Sequence, residues 1–299
     1  MDFNNFSPLE KLLTEPVKYY YDLKGKDIRK IICNIIGTSL KISKEDLENI
    51  NNLISVIHNS TLVIDDIEDE SELRRKQPCA HKVYGTAMAL NAGYLTIFKI
   101  LDELKNQPEN MIKDKIIENI YLAHIGQGMD IYYTKTKIIP SLEDYYTMME
   151  YKTGMLFITL LDIFNQKTKM VNYNELVNCI KKFSYFFQIR DDYINITDPE
   201  YWKEKGFCQD FDEQKISFLI CFAINNKLKN YEKINSYLVK AKKLKYKKKL
   251  IKMFYDNGLF DIIYNMLNVL KKEINEIIDL DIVFELLPYH QFDENLKYI

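Results

Sequence analysis

Carboxylates gather at two places in this chain. Asp65, Asp66 and Asp69 stand in STLVIDDIEDE, from Ser60 to Glu70, with Glu68 and Glu70 beside them. Asp191, Asp192 and Asn195 stand in FFQIRDDYIN, from Phe186 to Asn195. Both clusters close an apolar run. On a helix, positions i and i+4 stack one turn apart, about 5.4 Å. Asp65 and Asp69 then present oxygens side by side, with Asp66 about 100° around the axis. Like charges this close repel unless a cation holds them. Hard oxygen ligands suit Mg²⁺, which keeps some of its water and usually bridges to phosphate. Two such clusters read as a grip on a diphosphate through several Mg²⁺ ions; the plainer alternative is two acidic helix ends in water.

Basic residues weigh against the plainer alternative. Arg74 and Arg75 follow the first cluster in LRRKQPCAH, Lys26 and Arg29 stand in GKDIR, Lys152 opens KTG, and Lys215 follows Asp210 in QDFDEQK. Guanidinium and ammonium groups are natural partners of phosphate oxygens. Each alone reads as a surface charge. Together with the Asp clusters they make a site for two polyanions, one held through metal and one through side chains.

The elements that position these groups read as helices. Nine glycines and seven prolines in 299 residues disfavour a turn-rich β fold. Ser43 with Asp46, and Ser141 with Asp144, fit capping boxes. From Lys44, the spacing of Leu47, Ile50, Ile54, Ile57, Thr61 and Ile64 predicts a helix to about Asp69. One long helix is predicted over LEDYYTMMEYKTGMLFITLLDIF, from Leu142 to Phe164, and another over Tyr173–Ile196. Loops are expected at Leu73–Ala80, Asn106–Glu109, Thr136–Pro140 and Thr197–Asp212. With no repeat and no long linker, residues 1–299 read as a single domain, an all-α bundle. A net charge of −2 argues against a generic nucleic-acid binder. Five scattered cysteines read as free thiols in a reducing compartment. With no signal segment and no apolar run of about 20 residues, a cytoplasmic protein is expected. The lysine run at 240–252 reads as a solvated helix or loop; weak attraction to an anionic membrane face is the sharper alternative.

From Glu15 to Phe218 the chain resembles the trans-isoprenyl diphosphate synthases, and among them most the eukaryotic geranylgeranyl diphosphate synthases. The stretches that carry the likeness are EPVKYYYDLKGKDIR, HNSTLVIDDIEDESELRRKQPCAH, GQGMDIYY, KTG, FFQIRDDYIN and KGFCQDFDEQKISF, in that order. Lys76 departs from the glycine usual after the arginine pair, and Leu219 from a usual proline. The resemblance implies an isoprenoid synthase fold, a homodimer and about three Mg²⁺ ions per site. It gives Asp65, Asp66 and Asp69 to Mg²⁺ on one side of the allylic diphosphate. Asp191 leads from the other side, supported by Asp192 and Asn195. Arg74, Lys152 and Lys215 would contact the allylic diphosphate. Lys26, Arg29, His58 and Arg75 would hold isopentenyl diphosphate, and Thr153 and Gln188 would line the reacting centre. The expected reaction is ionisation of the allylic diphosphate, condensation with isopentenyl diphosphate, and loss of a proton to the departed diphosphate.

Product length is expected to depend on Ser60 and Thr61, one turn before Asp65, where short-chain relatives carry aromatic floors. Both are small, which moves the floor to Tyr94, Ile97, Phe98 or His124; Ile97 stands where similar enzymes often have tyrosine. Geranylgeranyl diphosphate is the expected product and farnesyl diphosphate the alternative. A terpene cyclase needs no second diphosphate pocket, so Lys26, Arg29 and Arg75 argue against it. Intact acidic clusters argue against a non-catalytic subunit.

Overall fold

The computed structural model describes residues 6–23, 25–105, 110–293 and 295; the loop expected at Asn106–Glu109 lies outside the described residues. The fold is all-α. Helices follow in the order α1 (Pro8–Leu13), α2 (Glu15–Asp22), α3 (Ile28–Ser39), α4 (Lys44–Glu68), α5 (Ala80–Tyr84), α6 (Thr86–Leu104), α7 (Asn110–Thr136), α8 (Leu142–Met149), α9 (Met155–Thr168) and α10 (Tyr173–Thr197). Then come α11 (Pro199–Lys205), α12 (Gln209–Asp212), α13 (Phe218–Asn225), α14 (Ile234–Leu238), α15 (Leu244–Asp256), α16 (Leu259–Asn275) and α17 (Asp281–Glu285). Among the described residues the only strands are β1 (Leu73–Arg74) and β2 (Gln77–Pro78). No helix there is long and apolar enough to cross a membrane. The chain divides into two compact units, Met1–Tyr121 with Met155–Asn174, and Leu122–Gly154 with Glu175–Ile299.

In the first unit α4 carries the first Asp cluster. The Ser43 hydroxyl accepts from the Asp46 N–H at 3.1 Å, which satisfies one of the free donors at the helix start. The Asp46 carboxylate accepts from the Ser43 hydroxyl rather than from the Ser43 N–H, so the expected box is half formed. A full box forms instead at Ser7 and Glu10. Of the predicted apolar face, Leu47, Ile50, Ile54, Ile57 and Ile64 are buried and Thr61 is half-buried. Each isoleucine so buried contributes about 1.5–3 kcal/mol. Ile57 and Ile64 share a core with Val17 and Tyr20 of α2 and with Ala89, Ala92, Ile97 and Ile100 of α6. At Gly93 of α6 a Cβ would stand 2.8 Å from Ile64 Cγ1 and 3.2 Å from the Ser60 carbonyl, so glycine lets α6 lie against α4. The predicted loop at Leu73–Ala80 forms a two-residue hairpin. At its tip Arg75 and Lys76 both have positive φ, 53° and 65°. A type I′ turn has this requirement, and it favours Asn-Gly.

In the second unit three expectations change. The single helix expected from Leu142 to Phe164 is interrupted by a π-helical turn over Glu150–Gly154. A π turn takes in extra backbone without breaking the apolar pattern, so periodicity does not reveal it. Gly126 of α7 sits against this turn, where a Cβ would fall 2.3 Å from Lys152 N and 2.7 Å from Tyr151 Cβ. Glu150 is held by the Tyr185 hydroxyl and by Lys181 at 2.9 Å. Second, the loop expected at Thr197–Asp212 contains α11 and α12. Asp198 caps α11, accepting from the Glu200 N–H at 2.9 Å ahead of Pro199, and Gly206 ends it at φ 100°. Third, Lys247 in the lysine run is buried, not solvated. It donates to the Phe207 carbonyl and to Asp212 Oδ2, both at 2.6 Å. Aromatic rings fill much of this unit's core, with Phe186 and Phe284 centred 4.9 Å apart and Phe260 and Phe292 stacked at 4.2 Å.

Candidate active site

In the first unit, Asp66 is fully buried near the end of α4. It accepts from the Tyr20 hydroxyl at 2.5 Å and from Arg74, whose Nε lies 3.1 and 3.0 Å from its two oxygens and whose Nη2 also donates to it. The Tyr20 hydroxyl in turn accepts from the Ala80 N–H at 3.0 Å. Asp65, with its side chain 24% exposed, takes a longer bond from Arg74 at 3.4 Å. Asp69, the cap of α4, is exposed. One aspartate is thus locked inside, and two keep oxygens toward solvent. Burial alone would push the Arg74 guanidinium down; its bonds to Asp66 and the charges of Asp66 and Asp65 outweigh that and raise it.

Further cations lie in the same unit. Arg75 Nη1 donates to the carbonyls of Tyr20 and Leu23, both at 2.7 Å, and so caps the end of α2. A Cβ at Gly25 would meet Arg75 Nε at 3.0 Å, so this glycine makes room for the side chain. Arg29 donates to His58 Nε2 at 2.8 Å and stacks over the Phe157 ring at 4.9 Å. Its Nε is buried without an acceptor among the described residues. Burial and the nearby Arg75 bring the Arg29 pKa down to about 10. Burial, then the charges of Arg29, Arg75 and Arg74, hold His58 well below the ordinary histidine value. His58 is therefore neutral at pH 7 and accepts from Arg29. A cluster in which cations depress one another suits an anionic ligand. Lys26 is exposed in the loop before α3.

In the second unit, Asp192 is 1% exposed and both its oxygens are taken. Oδ1 accepts from Gln188 at 3.0 Å and Lys215 at 3.2 Å; Oδ2 accepts from the Tyr145 hydroxyl at 3.0 Å and the Phe218 N–H at 2.7 Å. Asn195 is buried and bonded both ways to Asp210, donating at 3.1 Å and accepting from its N–H at 3.3 Å. Asp191 keeps a third of its side chain in solvent and accepts from Arg190 at 2.8 Å. The other Arg190 donors, Nε and Nη2, reach the Pro288 carbonyl at 3.1 and 2.7 Å. Lys152, in the π turn, donates to buried Asp130 at 2.6 Å, and Thr153 beside it is buried. Burial pushes Lys215 down, but Asp192, Asp210 and Asp130 prevail and hold it well above the ordinary lysine value. Burial likewise raises Asp130, and the charges of Lys152 and Lys215 outweigh it, leaving the carboxyl lowered.

A profile of the polyprenyl synthetases matches residues 10–254. A geranylgeranyl pyrophosphate synthase of Dictyostelium discoideum is 33% identical over 273 residues, 89% of this chain and 88% of that protein. The chain belongs to the polyprenyl synthetase family. A geranylgeranyl pyrophosphate synthase of Hypoxylon pulicicidum is 31% identical over 271 residues, 90% of this chain and 70% of its own length. A phomopsene synthase of Phomopsis amygdali is 33% identical over 226 residues, 75% of this chain but 31% of that longer protein. The chain is a prenyltransferase of isoprenoid biosynthesis with the all-α isoprenoid synthase fold. The family match runs 36 residues past Phe218, the end of the sequence resemblance, and takes in the lysine run.

The remaining residues expected at the site are spread over both units. Ser60 is fully buried against α6 and donates to the Val56 carbonyl at 2.8 Å, whereas Thr61 is half-buried. On α6, Ile97 is 5% exposed, but Tyr94 and Phe98 are 40% and 65% exposed. His124 is half-buried on α7 in the second unit. Sequence reasoning missed Tyr20, Asp130, Tyr145 and Arg190. The quoted stretches YYYDL, GQGMD, DYY and IRDD contain them, but nothing in their spacing says which residue they face.

Mg²⁺ fits the donors present. Among the described residues no three carboxylate, histidine or cysteine side chains are gathered into a ready metal cage. Mg²⁺ needs none, since it takes one or two carboxylates and completes its shell with water and substrate phosphate. Asp65, Asp69 and Asp191 offer such oxygens.

Proposed function

We propose that this prenyltransferase is a Mg²⁺-dependent geranylgeranyl diphosphate synthase that works as one catalytic domain, in the cytoplasm and as a homodimer. It extends dimethylallyl, geranyl or farnesyl diphosphate with isopentenyl diphosphate. The observation that carries the reading is the pairing of two carboxylate clusters with two separate sets of cations, Arg29 and Arg75 with His58, and Lys152 with Lys215. A single diphosphate would not call for both sets.

Asp65, Asp69 and Asp191 would hold the metal, joined by Asp66 only once Arg74 has turned to the diphosphate, with Asp192 and Asn195 fixing the helix that presents Asp191. When bound, Mg²⁺ supplies positive charge to the diphosphate leaving group. Lys152, Lys215 and Arg74 add hydrogen-bonded charge to the same group as the allylic C–O bond breaks. Lys26, Arg29, Arg75 and neutral His58 hold isopentenyl diphosphate so that its double bond meets the allylic carbon, and this positioning supplies much of the rate. Thr153 and Gln188 present oxygens to the cationic carbon. The new C–C bond forms, and a proton leaves to the departed diphosphate, so no histidine or glutamate base is required. Small Ser60 and Thr61, and the similarity to geranylgeranyl pyrophosphate synthases, support a twenty-carbon product. The stripe of Leu90, Tyr94 and Phe98 on α6, exposed at helical spacing, supports a dimer face. On that reading Ile97, rather than its exposed neighbours, bounds the chain within one protomer. Five buried free thiols suit a reducing cytoplasm.

The test is incubation with isopentenyl diphosphate and each allylic diphosphate, with Mg²⁺ and with EDTA, and product analysis by chain length. A twenty-carbon diphosphate made only with metal is expected. A fifteen-carbon product overturns the assigned length, and a cyclised hydrocarbon overturns the synthase. Ser60→Phe and Thr61→Phe should shorten the product. Ser60 is packed against α6, so its variant is read only if its thermal unfolding stays cooperative.

A further inference from the structure

The lysine run is the one sequence motif that the reaction leaves unused. Between Glu232 and Asp256 stand nine lysines and no acidic residue. Two of them are accounted for within the fold, Lys247 with Asp212 and Lys252 with Asp256. Five of the others behave differently. The ammonium groups of Lys240, Lys245 and Lys249 converge on one ring, 5.7, 5.1 and 5.3 Å from the centre of Tyr246. Lys249 also lies 5.1 Å from the Tyr237 ring, which is 5.9 Å from that of Tyr246. Lys240, Lys242, Lys243, Lys245 and Lys249 are exposed, and among the described residues none has a carboxylate partner. Ring faces attract each cation, but among the described residues no carboxylate offsets the repulsion among them.

Aliphatic side chains flank this charge. Val239 and Leu244 are 53% and 51% exposed, at the end of α14 and the start of α15. Exposed aliphatics among lysines and tyrosines suit the boundary between headgroups and acyl chains, where the ammonium groups stay with phosphate. A nucleic acid would engage the lysines but gives the aliphatic pair nothing to enter. With an overall charge of −2 the chain as a whole is not drawn to an anionic surface, so the attraction has to be local.

We infer that the surface formed by residues 239–249 docks the enzyme on an anionic lipid bilayer, with lipid phosphates at the Lys240–Lys245–Lys249 trio and Leu244 and Val239 entering the interface. On the reaction proposed above, docking there brings the enzyme to a surface in which a prenyl diphosphate partitions.

The experiment is flotation of the full chain with vesicles of phosphatidylcholine alone and of equal parts phosphatidylcholine and phosphatidylserine. Binding is expected only to the phosphatidylserine vesicles and should weaken as salt rises. K240Q/K245Q/K249Q should weaken it about a hundredfold. L244D, which leaves every lysine in place, should weaken it by a smaller factor. Turnover with soluble substrates should be unchanged in both variants, since no altered residue belongs to the reaction. The inference is overturned if the wild type does not float, if it floats equally with phosphatidylcholine, or if the folded triple variant binds as before. Binding of RNA but not of vesicles also overturns it.

Discussion

Asp66 on α4 and Asp192 on α10 each stand second in an Asp pair, and both are buried, but different groups hold them. Asp66 is held by Arg74, only eight residues on, and by Tyr20. Asp192 is held by four donors from four places: Gln188, Tyr145, Lys215 and the Phe218 backbone. The first brace is dominated by one charged side chain, itself a quarter exposed and assigned to substrate by the family resemblance. An arriving diphosphate competes with Asp66 for that arginine. The second brace has one charged donor, Lys215, which a diphosphate can also draw on; the Tyr145 hydroxyl and the Phe218 N–H are internal and keep Asp192 in place when it does. One cluster is built to rearrange on binding, the other to stay fixed.

The largest expected effect tests whether the two clusters share one task. Asp65→Ala and Asp191→Ala should each cut turnover about a thousandfold or more, with circular dichroism unchanged. A loss confined to one of them would break the comparison at its root. Next is the difference between the braces. Asp192→Ala strands Lys215, the Tyr145 hydroxyl and the Phe218 N–H, and should cost about 3–5 kcal/mol in denaturant unfolding. Asp66→Ala should cost about 1–3 kcal/mol, because partly exposed Arg74 can turn to water. Equal losses would mean that the two braces are equally rigid.

A third test uses pH and concerns the first unit. Burial and three arginines depress His58 in the folded state below its ordinary value of 6.5. Above pH 6.5 neither state is protonated there, and stability is full. As pH falls below 6.5 the unfolded chain takes a proton that the folded chain refuses, so stability declines until the folded value is reached. Unfolding between pH 7 and 5 should show this decline, and His58→Asn should flatten it. Binding isopentenyl diphosphate should bring proton uptake, measured by calorimetry in buffers of different ionisation enthalpy. The smallest effect sits at the hairpin tip. Lys76 has φ 65°, in the left-handed region that glycine enters without strain. Lys76→Gly should stabilise by about 1 kcal/mol with turnover preserved.

Much of the first cluster was legible because its geometry is local. The Ser43 cap, the apolar spacing from Leu47 to Ile64 and the nearness of Arg74 all lie within 32 residues of one another. The second cluster was legible only as far as Asp191, Asp192 and Asn195. Tyr145 and Phe218 reach Asp192 across 47 and 26 residues, and no local spacing encodes such a meeting. The π turn at Lys152 was hidden for another reason, since the residues around it are apolar enough to satisfy an ordinary helix. Lys247 was hidden by its neighbours, eight lysines that do face water or lie near it.

Arg190 ties Asp191 to the Pro288 carbonyl across 98 residues, and Tyr193 reaches the His290 carbonyl across 97. Contacts this distant in sequence carry the loop-closure entropy that local ones avoid, and they are expected late in folding. Until the 288–290 segment arrives, the Arg190 guanidinium has, among the described residues, only Asp191 as acceptor and keeps its water. Arg74 finds Asp66 through a short hairpin and can do so early. The order of assembly then runs opposite to rigidity, with the adaptable cluster set first and the fixed one completed last. A slow refolding step should therefore restore the environment of α10 after that of α4.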